Sequence, residues 1–533
     1  MGYGQDISLS IQTFETLIIE KRIYVDKTGL LYELLNSGMK ACFFSRPRRF
    51  GKSLTISTLD AIFKGKKALF ENLAISRTDY TWPIHPVIRL DMKYAAESSL
   101  GQAEKGLKNT LDTIAKGYGV ALDNDTLATC FEELIKKIKE KTKTSVVILI
   151  DEYDKPLIDN LDNLEEAKKI QGMLKRFYGV LKSADEYIRF VFITGVSKFS
   201  KVSIFSDLNH LQDLTMNPNY STLVGMTQEE LVTYYVPYIQ AVADEKQWTF
   251  EQVMEEIRHW YNGYRFSKRD DKVYNPWSTL SLFQTLEFRE HWYTTGIPKL
   301  LIDIINRDDL LSGINPADFN LTAPYDMSQF EAYDIEKLEL IPLMLQTGFL
   351  TLKTCQEIPG HVSMFQLGYP NSEVRNAFIR MVLESRVTSG AGERVLLAYH
   401  VQQAVKEKRL SDLMDLFNSL IASIPGILHT AKESYYHSLI HMILQTSGLN
   451  IRSEEWVAGG RIDTVIEESD CFYIIEFKFG SKAQAAIEQI KHRKYSKKFE
   501  KSKKPVYALG IGVACETKSI SDWHCEMLLP NCI

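Results

Sequence analysis

Apolar runs and helical patterns alternate along the first part of the chain. Residues 41–44, 87–91, 145–150 and 188–193 form runs dominated by Val, Ile, Leu and Phe. Continuous runs of this length are typical of strands that are buried on both faces, as in a parallel sheet. A helical pattern starts at residues 54–59, directly after the first run and a short loop. The alternation predicts a doubly wound α/β domain that ends near residue 225.

A phosphate-binding loop is predicted between the first strand and the first helix of this domain. Residues 45–53 read Ser-Arg-Pro-Arg-Arg-Phe-Gly-Lys-Ser, and Gly-Lys-Ser between strand and helix is the context of a P-loop. Backbone N–H groups and the helix dipole favour an anion at such a helix start. Lys52 is expected to reach the β- and γ-phosphates and Ser53 to bind Mg²⁺, although Arg46 replaces the first Gly of the usual motif. The predicted nucleotide-binding residues of the loop are Arg49, Phe50, Gly51, Lys52, Ser53 and Leu54.

Two further strand ends complete the predicted nucleotide site. Asp151 and Glu152 follow the run at 145–150, at the sheet edge where α/β proteins bind ligands. Asp151 is expected to hold Mg²⁺ through water, and Glu152 to orient or deprotonate the attacking water. Thr194 or Ser197, after the next run, is a candidate sensor of the γ-phosphate. The alternative for Asp151 and Glu152 is a pair of solvated acids at a strand end. The alternative for Thr194 and Ser197 is an ordinary Gly turn after a strand.

The middle of the chain predicts helices rather than strands. A capping-box start at Thr227 opens a helical region that extends to about residue 385. The aromatic turn segments 260–266 and 273–278 favour core packing over base stacking. Residues 385–393 have the composition of a linker. We therefore expect three parts: residues 1–225, a mainly helical lid or middle region over 226–390, and 391–533.

A second site is predicted near the C-terminus. Residues 460–466 and 471–478 are strand-like, and side chains two apart on a strand share a face, so Glu476 and Lys478 point the same way. Charges on an apolar strand are costly to bury without a partner, which a divalent cation supplies. Asp463, Glu476 and the Phe477 carbonyl are expected to bind Mg²⁺, with Lys478 orienting the attacking water or stabilising charge that develops on the scissile phosphate. The alternative is a surface hairpin with a salt bridge.

The residues around this second site extend the same prediction. Glu433, at the start of a helix, could provide a third acid for the metal, and Glu455 is its rival. Gln489 is expected at the rim. Residues 491–504 carry eight Lys or Arg and one acid, which suits contact with a phosphate backbone, or else forms a solvated helix face.

Composition places the chain among soluble globular proteins. Its 533 residues are 45% hydrophobic and 25% charged, and the net charge of −5 argues against general adhesion to nucleic acid. Neither a signal peptide nor an apolar run of the ~18 residues that span a bilayer is visible. The seven cysteines contain no C-x-x-C pair and no zinc-ligand pattern. We expect a cytoplasmic protein without membrane contact.

The motifs together resemble the bacterial proteins that join an AAA-ATPase-like domain to a C-terminal PD-(D/E)XK nuclease-like domain. The matching segments are residues 24–28, 46–53, 150–154, 193–196, 460–463 and 476–478, with Gln489, Ile490 and Tyr495. In that family Arg at the position of Arg46 is usual. The resemblance implies a P-loop sheet followed by a restriction-endonuclease-like α/β domain. It also implies ATP, Mg²⁺ (or Mn²⁺ at the nuclease-like site) and nucleic acid as ligands, and it leaves homo-oligomerisation open.

Three functions follow from this reading. The preferred one is an ATP-regulated, metal-dependent nuclease that acts on DNA or RNA. The leading alternative is an NTPase switch whose C-terminal domain binds nucleic acid or protein without cleavage. A DNA translocase ranks lowest, because the basic residues are concentrated at the far end of the chain.

Overall fold

The structure is a computed structural model of the whole chain. It describes residues 6–96, 99–198, 204–205, 208, 210–292, 301, 304, 321–326, 339–357, 363–386, 391–424, 433–457, 460–500, 502, 504–514 and 516–529. Two compact units are present. The first comprises Met1–Leu300 with Leu321–Val374, and the second comprises Leu301–Asn320 with Arg375–Ile533. The domain boundaries that the sequence analysis places at residues 225 and 390 stay predictions.

A five-stranded parallel sheet forms the centre of the first unit. Its order is β2-β3-β4-β1-β5, and its strands are β1 (Ala41–Ser45), β2 (Val87–Asp91), β3 (Val146–Asp151), β4 (Ile188–Gly195) and β5 (Gln212–Asp213). Every residue of β1 and β3 is buried, which explains why these strands read as unbroken apolar runs. The predicted α/β fold is confirmed.

The helices of this region occupy the segments between the strands. They are α1 (Phe14–Ile19), α2 (Thr28–Asn36), α3 (Lys52–Phe63), α4 (Leu100–Tyr118), α5 (Leu127–Thr142), α6 (Lys155–Ile158) and α7 (Leu164–Ser183). α3 packs against β2, β3 and β4, and α5 packs against β3 and α7. Because all five strands run in parallel, the carboxyl ends of β1, β3 and β4 lie at one edge of the sheet, beside the start of α3.

The middle of the chain is helical, and it also contains short antiparallel strands. The helices are α8 (Gln228–Lys246), α9 (Phe250–Tyr261), α10 (Pro276–Thr285) and α11 (Leu340–Thr347). The strands are β6 (Tyr264–Arg265), β7 (Lys272–Val273), β8 (Leu321–Asp326), β9 (Thr351–Gln356) and β10 (Met364–Gly368), the last three in the order β8-β10-β9. The capping box at Thr227 is present, with Glu230. Tyr261, Tyr264 and Tyr274 are fully buried, so the aromatic turns are core elements as expected.

The second unit is built on a mixed five-stranded sheet. Its helices are α12 (Ser372–Arg386), which begins in the first unit, α13 (Ala391–Lys406), α14 (Leu410–Ala422), α15 (Glu433–Thr446) and α16 (Ala483–His492). The strands follow chain order: β11 (Asn450–Val457), β12 (Gly460–Glu467), β13 (Phe472–Phe479), β14 (Val506–Val513) and β15 (Ile520–Leu529). β13 and β14 are parallel, and the other pairs are antiparallel. This mixed sheet agrees with the predicted nuclease-like fold.

Two expectations from the sequence concern the predicted linker and the expected absence of a membrane span. The predicted linker at 385–393 falls on the end of α12 and the start of α13, and its residues 387–390 lie outside the described residues. Within the described parts of the chain, no helix has the length and apolarity that a bilayer crossing requires. α16 packs so closely on β14 that a Cβ at Gly510 would collide with the carbonyl oxygen of Ala483.

Candidate active sites

The loop between β1 and α3 has the backbone geometry that a phosphate site needs. Gly51 is the N-cap of α3 and has φ of 100°, which a residue with a side chain rarely adopts. Arg49 also has a positive φ, of 70°. α3 is twelve residues long and begins at Lys52, so its free N–H groups and its positive dipole end lie at the Gly-Lys-Ser segment. The loop is therefore arranged to receive an anion.

Lys52 lies at the centre of this loop. Its ammonium Nζ donates hydrogen bonds to the carbonyl oxygens of Arg46, at 2.8 Å, and Pro47, at 2.9 Å. Burial lowers the pKa of Lys52 to about 8, an effect that the nearby carboxylates of Asp151 and Glu152 partly offset. The positive charge is thus held where the sequence analysis places the phosphates.

Arg46 does not face the phosphate loop. Its side chain is 1% exposed and lies between the rings of Phe44 and Phe266, at 4.3 and 4.2 Å from their centroids. The guanidinium donates to the carbonyl oxygens of Ser45, at 2.9 Å, and Thr215, at 2.7 Å. Burial lowers its pKa to about 9. The residue that replaces the usual Gly is a structural anchor between β1 and the segment after β5.

The two residues before Gly51 differ in what they offer a nucleotide. The guanidinium of Arg49 stacks over the ring of Trp277, 4.1 Å from its centroid, at the start of α10. The ring of Phe50 is buried against Tyr264 and Phe266, so only its backbone is available to a ligand. Arg49 is thus exposed on the loop, while Phe50 fixes the loop in the core.

The acidic edge lies at the ends of β3 and β4. Asp151 pairs in register with Asp91 of β2, and its Oδ1 accepts a hydrogen bond from the Thr194 hydroxyl at 2.7 Å. Glu152 has φ of 52°, a left-handed conformation that non-Gly residues adopt only under constraint. Its carboxylate lies 3.5 Å from the ammonium of Lys93. Burial raises the pKa of Glu152, because the charged carboxylate is less stable away from water.

Thr194 and Ser197 have different partners. The Ser197 hydroxyl and backbone N–H both donate to Oδ2 of the buried Asp154, at 2.7 and 2.8 Å. Ser197 therefore holds the turn after β4. Thr194, which contacts Asp151, is the better placed of the two sensor candidates.

A cavity of about 420 Å³ adjoins the loop and the acidic edge. Its lining includes loop residues 48–55 together with Lys93, Glu152 and Lys155. The remaining lining residues are Ser8, Leu9, Ile11, Gln12, Leu17, Ile23, Tyr24, Val25, Lys27, Leu31, residues 223–226, Tyr235, Pro276, Trp277 and Leu280. The volume lies within the range of ~300–1,000 Å³ that small-molecule and cofactor sites occupy. Sequence reasoning missed Lys93, although it follows a predicted strand at the same sheet edge.

The second site lies at the junction of β12 and β13. Two hydrogen bonds join the strands here: the Asp463 N–H donates to Glu476 Oε1 at 3.3 Å, and the Phe477 N–H donates to Asp463 Oδ2 at 3.0 Å. Gln489 of α16 donates from Nε2 to Glu476 Oε2 at 2.8 Å. The structure thus brings together Asp463, Glu476 and Gln489. Lys478 is half-buried, two residues further along β13.

The electrostatics of this pair favour a cation. Glu476 is fully buried, and burial together with the Asp463 carboxylate raises its pKa well above the usual range, while Lys478 opposes the shift. Two neighbouring carboxylates cannot both be charged cheaply unless a cation shares them. Oxygen donors of this kind are what Mg²⁺ and Mn²⁺ prefer. The residues present therefore fit a divalent cation.

The third acid is not settled by the described residues. Glu433 is the first residue of α15, and Glu455 lies opposite Ile462 in the pairing of β11 with β12. The side chains of both residues lie outside the described part of the chain. Among the described side chains, no group of three or more His, Cys, Asp or Glu forms a metal-binding set. The Phe477 carbonyl also stays a prediction.

A buried histidine pair lies behind the second site. His437 Nε2 lies 3.3 Å from the carbonyl oxygen of Asp463 and 3.3 Å from the Thr464 hydroxyl. His441 Nδ1 lies 3.2 Å from the same hydroxyl. Burial keeps the pKa of His441 well below its usual value. This pair ties α15 to β12. The spacing of four residues between His437 and His441 was the sequence signal that could have predicted this pair.

The basic segment after α16 has its aromatic residues in the core. Tyr495 and Phe499 are 2% and 5% exposed and pack with Ile487 and Ile490, so they cannot stack on bases. Lys491 pairs with Glu526 at 2.6 Å, and Lys504 pairs with Glu467 at 3.3 Å. Part of the predicted basic surface is thus engaged within the unit.

Comparison with known proteins matches both regions of the chain that contain these sites. Residues 8–205 match the family model described as predicted AAA-ATPase, and residues 431–523 match that of the PD-(D/E)XK nuclease superfamily. A protein of Azotobacter chroococcum mcd 1, described as "Uncharacterized protein in vnfD 5'region", is 32% identical over 543 residues. That alignment covers 98% of this chain and 99% of the relative. The resemblance inferred from the motifs is confirmed.

Two solved structures show only remote similarity. They are described as Drosophila ORC bound to GC-rich DNA and Cdc6, and as Drosophila ORC bound to AT-rich DNA and Cdc6. The alignment with the first covers 46% of this chain and 79% of the matched chain at 10% identity. The alignment with the second covers 69% of this chain and 94% of the matched chain at 11% identity. The TM-score is 0.19 for each, and a score of that size supports no inference.

Proposed function

Because this chain belongs to the family that joins a predicted AAA-ATPase domain to a PD-(D/E)XK nuclease domain, we propose that it is an ATP-regulated, metal-dependent nuclease. The first unit binds and hydrolyses ATP. The second unit cleaves phosphodiester bonds in DNA or RNA with Mg²⁺ or Mn²⁺. The observation that carries the proposal is the fully buried carboxyl group of Glu476 next to the half-buried Asp463, an arrangement that a divalent cation stabilises.

The nucleotide half of the proposal rests on the cavity at the Gly-Lys-Ser loop. Lys52 and the N-terminus of α3 bind the phosphates, and Arg49, stacked on Trp277, adds a cation at the cavity wall. Ser53 and Asp151 are the residues that would hold Mg²⁺, which neutralises phosphate charge when bound. Glu152 accepts a proton from the attacking water, and Lys93 keeps that carboxylate in place. Thr194 fixes the orientation of Asp151.

The nuclease half rests on the residues of β12, β13 and α16. Asp463 and Glu476 would hold the divalent cation, which lowers the pKa of a bound water and supplies a nucleophile at neutral pH. Gln489 orients one oxygen of Glu476, and the Phe477 N–H orients one oxygen of Asp463. Lys478 places a positive charge beside the scissile phosphate. Glu433 or Glu455 completes the acid set.

The alternative function is an NTPase switch whose second unit binds nucleic acid or protein without cutting it. The ion pairs of Lys491 and Lys504 favour the protein-binding form of this alternative, because they reduce the basic surface free for a phosphate backbone. Retention of Asp463, Glu476 and Lys478 favours the nuclease, since a binding module does not need buried acids.

The experiment is cleavage of end-labelled single- and double-stranded DNA and RNA, with Mg²⁺ or Mn²⁺, in the presence and absence of ATP. Wild type is compared with Asp463→Ala and Lys52→Ala. Cleavage that Asp463→Ala abolishes, and that responds to ATP only when Lys52 is present, supports the proposal. ATP hydrolysis without cleavage of any substrate would overturn the nuclease half and favour the switch.

A further inference from the structure

Glu152 lies in a backbone conformation that its own side chain disfavours. Its φ of 52° falls in the left-handed region, which a non-Gly residue keeps only where the surrounding structure imposes it. The regular pairing of β3 with β4 ends at Ile150 and Ile193. Beyond that point, the Tyr153 N–H donates to the carbonyl oxygen of Thr194 at 2.9 Å. Glu152 therefore lies between two points at which this segment is attached to β4.

The two residues after Glu152 bind the turn that follows β4. The Asp154 carboxylate accepts hydrogen bonds from the backbone N–H groups of Val196, at 3.1 Å, and Ser197, at 2.8 Å. It also accepts a bond from the Ser197 hydroxyl at 2.7 Å. The Tyr153 hydroxyl donates to the carbonyl oxygen of Ser197 at 3.0 Å. Backbone and side chains of residues 153–154 thus hold this turn together.

The contact between the two segments is too tight for a side chain at the end of β4. A Cβ at Gly195 would lie 2.4 Å from Cδ1 of Tyr153 and 2.8 Å from Oδ1 of Asp154. Tyr153 and Asp154 are both buried, and neither is among the residues that line the nucleotide cavity. A carboxylate is costly to remove from water unless donors satisfy it, and the turn supplies those donors. Asp154 is therefore placed to act on the site through its neighbours.

We propose that Asp154, together with Tyr153, is a positioning residue for ATP hydrolysis. Their bonds to the turn after β4 keep Glu152 in its left-handed conformation and direct its carboxylate to the cavity, where the ammonium of Lys93 lies 3.5 Å away. The same bonds attach the sensor candidate Thr194 to this segment, so the base and the sensor are held as one unit. This role rests on the proposed ATP hydrolysis, and it adds residues that do not touch the nucleotide.

The first test compares the binding and the hydrolysis of ATP in Asp154→Asn. The amide turns an N–H group towards the donors of the turn, so kcat should fall by about 10–100-fold because the base is misplaced. The Kd for ATP, measured by calorimetry, should stay within about threefold of wild type. Asp162→Asn, at an exposed aspartate before α7, is the matched control and should keep the wild-type kcat. Asp154 also partly offsets the lowered pKa of Lys52, so a loss of affinity as large as the loss of rate would assign its effect to Lys52 and overturn the proposal.

The second test asks whether Asp154 acts through Glu152. Single-turnover rates are measured for Asp154→Asn, Glu152→Gln and the double variant. If Asp154 serves to place the Glu152 carboxylate, the double variant loses much less than the product of the two single losses. Losses that multiply would show that the two residues act independently, which would overturn the proposal.

Tyr153→Phe provides a milder variant, should Asp154→Asn fail to fold by circular dichroism. It removes the hydroxyl bond to Ser197 and keeps the ring that packs against Phe43. The expected loss in kcat is about 3–10-fold at unchanged Kd, the effect of one hydrogen bond. Hydrolysis by wild type that is unchanged in the folded variants would overturn the positioning role alone. Absence of hydrolysis in wild type would overturn the proposed ATPase activity and this role together.

Discussion

Glu476 accepts a hydrogen bond at Oε1 from the backbone N–H of Asp463, so the two acids of the second site are locked together across neighbouring strands. The Phe477 N–H returns a bond to the Asp463 carboxylate. The backbone of β12 and β13 thereby sets the separation of the two carboxyl groups before any cation arrives. Such preorganisation is what a metal site on rigid strands requires.

Glu476→Gln is expected to stabilise the cation-free protein, because it removes a buried acid from the vicinity of the Asp463 carboxylate. In EDTA, its Tm should exceed that of wild type by a few degrees, corresponding to about 1 kcal/mol. Mg²⁺ should raise the Tm of wild type but not that of the variant. Asp470→Asn, in the exposed turn between β12 and β13, is the control and should keep the Mg²⁺ response. A Mg²⁺ response in Glu476→Gln equal to that of wild type would contradict this expectation.

Lys52→Ala should weaken ATP binding about 100-fold, because the buried ammonium is the main positive charge inside the loop. The measurement is calorimetric titration with ATP and Mg²⁺. Lys64→Ala, at the other end of α3, changes an exposed lysine of the same helix and should bind ATP as wild type does. Equal affinities for wild type and Lys52→Ala would place the nucleotide elsewhere.

Glu152→Gln should retain ATP affinity and lose hydrolysis by roughly 10²–10⁴-fold, since the amide cannot accept a proton from water. A phosphate-release assay measures the rate, and the same calorimetric titration measures binding. Glu165→Gln, an exposed acid on α7, provides the comparison for the loss of one negative charge. Hydrolysis at the wild-type rate in Glu152→Gln would assign the base to another residue.

Arg46→Gly tests why this loop lacks the usual first Gly. The change restores the common motif, yet it should destabilise the protein by about 2–4 kcal/mol, because the carbonyl oxygens of Ser45 and Thr215 lose their buried donor. Thermal unfolding is the measurement. Arg48→Gly is half-buried at the cavity wall and should cost far less. Equal Tm values for the two variants would show that the anchor role is wrong.

Glu373 gives the first unit a pH dependence. Its carboxyl group is fully buried and accepts a hydrogen bond from the Trp292 N–H at 2.7 Å, and burial raises its pKa to about 8. Because the folded-state pKa of Glu373 lies above the unfolded value, its protonated carboxyl contributes to the free energy of unfolding. That contribution is fully present below about pH 4.5 and is lost as pH rises towards 8. Glu373→Gln should remove this loss and be more stable than wild type at pH 8 by about 1–3 kcal/mol.

The measurement for Glu373 is Tm between pH 5 and 8.5 for wild type, Glu373→Gln and Glu384→Gln. Glu384 lies on the same helix, α12, and its side chain is exposed. The difference between Glu373→Gln and wild type should grow with pH. A constant difference across the range would show that Glu373 is charged throughout.

The parts of the fold that the sequence predicts are those in which local pattern and burial coincide. β1 and β3 read as apolar runs because each is buried on both faces, and Gly51 could be placed because a helix start with positive φ favours Gly. Glu476 and Lys478 could be assigned to one face of their strand because side chains alternate along a strand.

The remainder depends on pairing between distant segments, which pattern does not encode. Arg46 reads as a cation of the phosphate loop, but its ring partner Phe266 and its acceptor Thr215 come from elsewhere in the chain. Lys93 is joined to Glu152 only because β2 and β3 are neighbours in the sheet. The short strands of the middle region have no alternation long enough to distinguish them from turns.

The central claim is that Asp463 and Glu476 form a divalent-cation site, and the most direct measurement is calorimetric titration of nucleotide-free protein with Mn²⁺. Without nucleotide, the P-loop lacks the phosphates that complete its own metal site. The account predicts saturable binding to wild type that is lost in both Asp463→Asn and Glu476→Gln and retained in Asp470→Asn. Binding of equal affinity in wild type and both site variants, or no binding to wild type, would contradict it.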